Sequence, residues 1–308
     1  MSSPWRACLR GPCSPGWALA RPWPWSQRPS PLPGPLALPW KRARLGAGKK
    51  ESMVKFPAPL VRLWHRLGSP RWFFETTAPW LPWLLGLGVV LLGAGAFWGL
   101  ALAPADYLQG NSFRIIYVHV PSAILAQSCY MLMGSCGVVL LVWRMKLADM
   151  VLEAAAPIGA SFTALALVTG AVWGKPTWGT WWAWDARVTS MLILLFLYLG
   201  IIGLRQALQR PEAAGRACAI LAIVGLVNIP IIKYSVDWWL TLHQPSTFKL
   251  TEKPAMPPSM WIPLLLSVLG FYALFIWSVL QSTRVVVLER ERRTQWVQNF
   301  VAAEGSKA

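Results

Sequence analysis

The fold class follows from the segment HVPSAILAQSCYMLMGSCGVVLLVW, which spans His119–Trp143 and contains no Asp, Glu, Lys or Arg. A helix needs about 20 apolar residues to cross the ~30 Å hydrocarbon core of a bilayer. This segment is therefore long enough to form a transmembrane helix. Five further segments of the same kind predict five more helices, near Trp80–Ala103, Ala154–Trp173, Val188–Leu204, Ala217–Ile232 and Met260–Thr283.

The composition of the chain agrees with this interpretation. Of its 308 residues, 55% are hydrophobic and 13% are charged, a balance outside the usual range of soluble domains. The predicted fold class is an all-α polytopic membrane protein with six transmembrane helices and a Trp-rich loop on the outer membrane face. The fifth span is the weakest, because it is short and contains Asn228 and Pro230.

The distribution of positive charge predicts the orientation of the helices. The net charge is +17, but no nucleic-acid-binding motif accompanies it, and we expect no nucleic-acid partner. With a cytoplasmic N-terminus, thirteen cations lie in inner segments and six lie in outer loops near 104–118, 174–187 and 233–259. The positive-inside rule then places both termini in the cytoplasm. The inner cations are Lys55, Arg62, Arg66, Arg71, Arg144, Lys146, Arg205, Arg210, Arg216, Arg284, Arg290, Arg292 and Arg293, and the outer ones are Arg114, Lys175, Arg187, Lys233, Lys249 and Lys253.

The chain divides into four parts. Residues 1–52 are rich in Pro, Trp, Ser and Arg without hydrophobic periodicity, so no packed structure is predicted for them. They are either an organelle transit peptide or a segment upstream of a translation start at Met53, and we favour the second explanation. Residues 53–79 form a basic interfacial lead, 80–283 the six-helix domain and 284–308 a cytoplasmic tail. We expect the bacterial inner membrane rather than an organelle inner membrane.

The second outer loop, residues 173–187, carries the strongest functional signal. An aromatic belt at the membrane surface would account for one or two tryptophans per helix end. This loop has more, and they lie beside Gly, Lys, Asp and Arg. Such an array of flat rings favours a binding surface for a flat, apolar ligand with an anionic edge. The tryptophans are Trp173, Trp178, Trp181, Trp182 and Trp184.

Two histidines flank this loop on the same predicted face. His119 lies where the first outer loop enters the second span, before Pro121 at the expected first turn of the helix. His243 lies in the third outer loop. Imidazole is a common axial ligand of haem iron, so the pair predicts bis-histidine coordination of a haem whose porphyrin rests against the indoles.

Charged residues close to the two histidines predict how the ligand's edge is held. Arg114 and Arg187 have guanidinium groups suited to carboxylates such as the two haem propionates. Binding to lipid phosphate, or a local pair between Asp185 and Arg187, is an equally open explanation. We expect Asp185 to orient the loop rather than to perform chemistry.

Several motifs together resemble the CcmC family of haem-handling proteins of cytochrome c maturation, in the WWD group. The resemblance extends from Met53 to about Thr294. The motifs that carry it are APADY at 103–107, RIIYVHVP at 114–121, APIGA at 156–160, the segment 173–187 and the segment from Tyr234 to Gln244.

The resemblance implies six helices in the inner membrane and an outer-face site for haem b, with His119 and His243 as the iron ligands. It also implies transfer of haem to a membrane-anchored haem chaperone of the CcmE type. Further partners implied are a single-span subunit of the CcmD type and ABC transporter subunits of the CcmA and CcmB type. The expected function is carriage and assembly, without enzymatic activity.

Two other functions compete with this one. A transport subunit would move haem through its helices, but a pathway for a charged solute should place ionisable residues at mid-membrane depth, and the six predicted spans have none there. A membrane cytochrome would use bound haem for redox chemistry, but its histidines often lie within helices rather than at the outer boundary. Docking of haem at the outer face is therefore the favoured hypothesis.

The predicted orientation can be tested with reporter fusions. Fusions after Arg144, Arg210 and Arg290 should report the cytoplasm, because the positive-inside rule places these cations there. Fusions within 106–112 and 246–256 should report the outer compartment. If the two outer-loop fusions report opposite compartments, the histidines do not share a membrane face.

Overall fold

The computed structural model describes residues 66–243 and 256–306. The leader 1–52, residues 53–65 of the basic lead and residues 244–255 of the predicted third outer loop lie outside these residues. The described helices are α1 (Pro70–Thr77), α2 (Leu81–Phe97), α3 (Ile116–Trp143), α4 (Lys146–Trp178), α5 (Ala186–Ala207), α6 (Pro211–Gly225), α7 (Asn228–Trp238), α8 (Pro258–Arg290) and α9 (Gln295–Gly305).

The prediction of six spans is confirmed. The helical stretches long and apolar enough to cross a bilayer are Pro70–Leu102, Asn111–Trp143, Lys146–Trp178, Ala186–Ala207, Pro211–Trp238 and Pro258–Arg290. The described part of the chain contains no β-strand, only an isolated bridge between Asp106 and Gly110. The chain is therefore an all-α polytopic membrane protein.

Several helices extend beyond the predicted boundaries. α4 begins at Lys146 and ends at Trp178, so the first part of the Trp-rich segment is helix and not loop. α3 begins at Ile116, after a 3-10 turn over Asn111–Ile115, so the prediction that Pro121 lies in the first turn is wrong. Hydrophobicity marks where a span crosses the lipid, whereas these polar and aromatic turns lie beyond the apolar stretch.

The fifth span, predicted as the weakest, is divided into two helices. α6 ends at Gly225 and α7 begins at Asn228, with a turn through Leu226 and Val227 between them. Pro230 lacks a backbone N–H and lies in the first turn of α7, where that donor is not needed.

The helices pack around α3 and α4, which lie next to each other as a hairpin. α4 also contacts α5 and α8, and α3 contacts α6 and α8. α2 packs almost entirely against α8 and forms the edge of the bundle. The main core lies among α3 to α8 and includes Leu125, Tyr130, Leu194 and Tyr198, all fully buried.

Tyr198 joins three of these helices. Its ring, on α5, lies over Gly159 of α4 so closely that an added Cβ would overlap it. Its hydroxyl donates a 2.7 Å hydrogen bond to the carbonyl of Ala126 on α3. This junction keeps α3, α4 and α5 at close distance below the Trp-rich segment.

The opposite end of the bundle is held by charges. Asp149, on α4, is buried and binds Arg205 of α5 and Arg290 of α8. Arg290 also binds Glu153. We call this end the charged end, and the end that carries residues 173–185 the tryptophan end. The charged-end network ties α4, α5 and α8 together with neutralised charges, which burial requires.

Gly159→Ala should destabilise the protein. The added methyl group cannot be accommodated without moving Tyr198, and overpacking of this kind typically costs about 1–3 kcal/mol. The measurement is the thermal unfolding midpoint in detergent. Gly203→Ala on α5 is the matched control, because a Cβ there meets nothing within 4 Å. Equal midpoints for the two variants would contradict the packing argument.

Candidate haem site at the tryptophan end

A cavity of about 350 Å³ opens at the tryptophan end, a size within the usual range of ligand sites. α3, α4, α5, α7 and α8 and the loop after α4 surround it. Its lining is mostly apolar and includes seven of the predicted site residues. These are His119, Trp173, Trp178, Trp181, Trp182, Arg187 and His243.

His119 enters the cavity from α3. Its Nδ1 lies 3.1 Å from the hydroxyl oxygen of Thr169 on α4, and that hydroxyl donates to the carbonyl of Leu165 at 2.7 Å. We assign the imidazole proton of His119 to Nδ1, because the Thr169 hydroxyl donates to the carbonyl of Leu165 and its oxygen is left to accept. Its Nε2 then carries the lone pair that a metal requires.

His243 has the same arrangement with a carboxylate. Its Nδ1 donates to Asp185 Oδ2 at 3.1 Å, which leaves Nε2 with a lone pair. Burial lowers the pKa of His243 below its usual value, and the neighbouring Asp185 carboxylate opposes that change without cancelling it. His243 is therefore neutral at pH 7, the form that binds metal. A carboxylate behind a ligating imidazole is a frequent feature of metal sites, where it fixes the ring.

Asp185 itself does not line the cavity. Its Oδ1 accepts the backbone N–H of Val188 at 2.8 Å and caps the N-terminus of α5, while Oδ2 holds His243. The carboxylate thus fixes the end of the Trp-rich loop and one imidazole at once.

Two tryptophans of α4 contact the two histidines. The ring of Trp173 lies 5.6 Å from that of His119, and the ring of Trp178 lies 4.8 Å from that of His243, both edge to face. The indole N–H of Trp173 donates to Gln109, in the segment between α2 and α3, at 2.7 Å. The imidazoles of His119 and His243 therefore both lie against indole rings of α4.

The remaining tryptophans belong to the short loop between α4 and α5. Gly179 ends α4 with φ of 78°, a conformation that favours glycine. Thr180 bonds both the backbone N–H and the carbonyl of Trp182, which tightens the loop. Trp181 and Trp182 line the cavity, whereas Trp184 packs edge to face on Trp182 and is 75% exposed outside the lining.

The two predicted arginines differ in position. Arg187 lines the cavity and donates to Ser235 Oγ and to the carbonyl of Lys233, both at 3.3 Å, which leaves further N–H groups free for a ligand. Arg114 lies outside the lining, where it donates to the carbonyl of Ala103 at 2.9 Å. The structure therefore brings Arg187, but not Arg114, to the cavity.

Sequence reasoning missed several residues of this site. Gln109 and Thr169 hold Trp173 and His119, and Lys233 lines the cavity although it was counted only for orientation. Gly170 gives His119 room, because a Cβ there would lie 3.0 Å from the imidazole Cε1. The spacing of Thr169, one helical turn before Trp173, was a signal for a side chain on the same face of α4.

The donor set suits haem better than a bare metal ion. Within the described residues no group of three or more His, Cys, Asp or Glu side chains could hold a metal. Haem iron needs only two protein ligands, because the porphyrin occupies the other four positions. The cavity offers two imidazole nitrogens, an apolar aromatic lining and a cation.

Comparisons with known proteins identify the family of this chain. Residues 63–298 match the sequence profile of the family described as Heme exporter protein C. Heme exporter protein C of Escherichia coli strain K12 is 48% identical over 243 residues, which make up 79% of this chain and 98% of that protein. The protein of the same name from Haemophilus influenzae is 48% identical over 233 residues, 76% of this chain and 95% of that protein.

A third relative gives a similar match. Heme exporter protein C of Bradyrhizobium diazoefficiens is 46% identical over 228 residues, 74% of this chain and 86% of that protein. The profile match covers all six spans and every residue of the cavity lining, which lies between Gln109 and Leu264. The chain therefore belongs to the Heme exporter protein C family.

Proposed function

We propose that this protein binds haem b between His119 and His243 at the outer membrane face and transfers it to a haem chaperone during cytochrome c maturation. The name of its relatives, Heme exporter protein C, supports haem as the cargo. One observation carries the proposal. Two imidazoles line one cavity, and each has its Nδ1 bonded to a protein oxygen, so that both Nε2 atoms are available to iron.

The walls of the cavity suit the porphyrin ring and the propionates of haem. Indole faces and aliphatic side chains would bury the porphyrin, worth roughly 25 cal/mol for each Å² of apolar surface removed from water. Arg187 would bind a propionate at the rim. Haem would supply the iron, and the protein's part would be to hold the imidazoles of His119 and His243 in place through Thr169 and Asp185.

The features of the tryptophan end also favour transfer rather than storage. Trp181 and Trp184 are 58% and 75% exposed, so part of the aromatic surface remains accessible to another protein. The partner that fits is a membrane-anchored haem chaperone of the CcmE type. We further propose assembly with subunits of the CcmD, CcmA and CcmB type, a bacterial inner-membrane location and no catalytic reaction of this chain's own.

A second candidate function is that of a haem-translocating transport subunit. It draws support from the depth of the cavity, which extends along α3 from His119 to Gln127, a rise of about 12 Å. At the opposite, charged end of the bundle, the side chains of Asp149, Glu153, Arg205 and Arg290 are paired with one another. Docking at the tryptophan end remains the better supported function.

His119→Ala and His243→Ala should each remove one axial ligand and change the optical spectrum of the purified, haem-loaded protein from a six-coordinate form. His65→Ala is the matched control, since it removes the third histidine of the chain, which lies outside the described residues. A double variant, His119→Ala with His243→Ala, that keeps the parent spectrum would exclude bis-histidine ligation.

Arg187→Ala should lower the affinity for haem at least about tenfold, because a charge-assisted hydrogen bond to a propionate contributes roughly 1.5–3 kcal/mol. Arg187→Lys should rescue only in part, because an ammonium cannot make the two-pronged contact. The measurement is the dissociation constant for native haem and for its propionate diester. Arg114→Ala is the matched control. Its ratio of dissociation constants for native haem and the diester should equal that of the parent.

The diester separates the possible explanations. If the parent binds the diester as tightly as native haem, then Arg187 serves lipid or partner contacts and the propionate assignment fails. If Arg187→Ala weakens both ligands equally, the loss comes from its contacts with Ser235 and Lys233 instead.

A further inference from the structure

The division of the fifth span shapes the side of the cavity. α6 packs closely on α3. The side chain of Leu226 lies against Gly134 of α3, and a Cβ added to Gly134 would lie only 2.7 Å from the Leu226 side chain. Leu226 is the first residue after α6. The close contact between the fifth span and α3 extends to Tyr130, whose hydroxyl lies against Gly225 and donates to the carbonyl of Leu221. Tyr130 lies about 5 Å along the helix from Gln127 at the bottom of the cavity.

Beyond this point the chain changes partner. α7 packs against α5, and its contact with α3 is marginal. Asn228, at the start of α7, is buried and donates a 2.9 Å hydrogen bond to the carbonyl of Ser190 on α5. An amide hydrogen bond in an apolar environment is costly to break, so it holds α7 against α5 and away from α3.

The resulting slot between α3 and α7 reaches the lipid-facing side of the bundle. Ile124 lines the cavity and is 36% exposed. Met131 and Val138 follow it at intervals of seven residues on the same side of α3, and they are 46% and 41% exposed. Because that side of α3 faces outward along its length, the edge of the cavity at Ile124 opens toward the hydrocarbon.

We propose that Asn228 is a positioning residue that keeps this slot open, and that haem enters or leaves the cavity sideways from the bilayer between α3 and α7. The inference rests on the proposed function. It adds the route of the ligand and a residue that controls it.

The chemistry of the slot fits this route. A porphyrin is flat and apolar over most of its surface, so it partitions into a bilayer with its carboxylates at the headgroup level. Ile124 and Ile232 present aliphatic surface along the slot, and Lys233 places an ammonium at its polar end. A haem that moves edgewise would keep its rings in apolar surroundings and its propionates near Lys233 and Arg187.

Ile124→Trp tests the route, because a larger side chain at the edge should obstruct passage. The matched control is Met131→Trp, which lies on the same side of α3 but beyond the end of the slot. The protein is reconstituted in phosphatidylcholine vesicles. Haem is supplied either dissolved in the bilayer or bound to albumin in water, and uptake and release are followed by the optical spectrum.

We expect Ile124→Trp to slow both uptake from the bilayer and release at least about fivefold, while Met131→Trp matches the parent. A substitution at an entrance changes the rates of haem uptake and release together, whereas a substitution in a wall of the site changes the dissociation constant. A raised dissociation constant with unchanged uptake would show that Ile124 is only a wall, and unchanged rates would exclude the slot. Faster loading from albumin than from the bilayer would favour an aqueous route.

The role of Asn228 has its own readout. Asn228→Leu removes the hydrogen bond at similar volume, so α7 can relax onto α3 and both rates should fall while the spectrum and the dissociation constant stay those of the parent. Val227→Leu, at an exposed neighbouring position, is the control. A purely structural role would lower the yield or alter the spectrum without this pattern. Absence of haem binding in the parent would instead refute the proposed function.

Discussion

The site depends on the Asp185 carboxylate, which performs two tasks with its two oxygens. One oxygen caps the N-terminus of α5 and the other holds the imidazole of His243. The loop that contains Trp181 and Trp182 ends at this residue, so the direction of the loop, the start of the helix and the orientation of the ring are set together. A buried carboxylate is tolerated there because both oxygens have donors.

The membrane helices could be predicted from the sequence because a bilayer imposes one simple requirement, a long uncharged stretch. His119–Trp143 meets that requirement without ambiguity. The boundaries were less accurate where helices continue past the lipid, as α4 does to Trp178. Helix formation there depends on backbone hydrogen bonds and on the Gly179 cap, and hydrophobicity reports on neither.

The site was predictable in its residue types and less so in its geometry. Histidines and a dense group of tryptophans on one face indicated a flat ligand, and the structure places most of them around one cavity. Arg114 and Arg187 looked equivalent in sequence, but only Arg187 lines it. Thr169 and Gln109 escaped notice because a single hydroxyl or amide gains its role from a partner far along the chain.

The ion network at the charged end has a consequence for how stability is distributed. Asp149, Glu153, Arg205 and Arg290 join three helices at one end, where breaking one pair would leave a buried charge uncompensated. The tryptophan end has a cavity in place of such a network. Amide hydrogen exchange should therefore be slowest near the charges and fastest around the loop after α4, so that local opening at one end leaves the topology of the bundle intact.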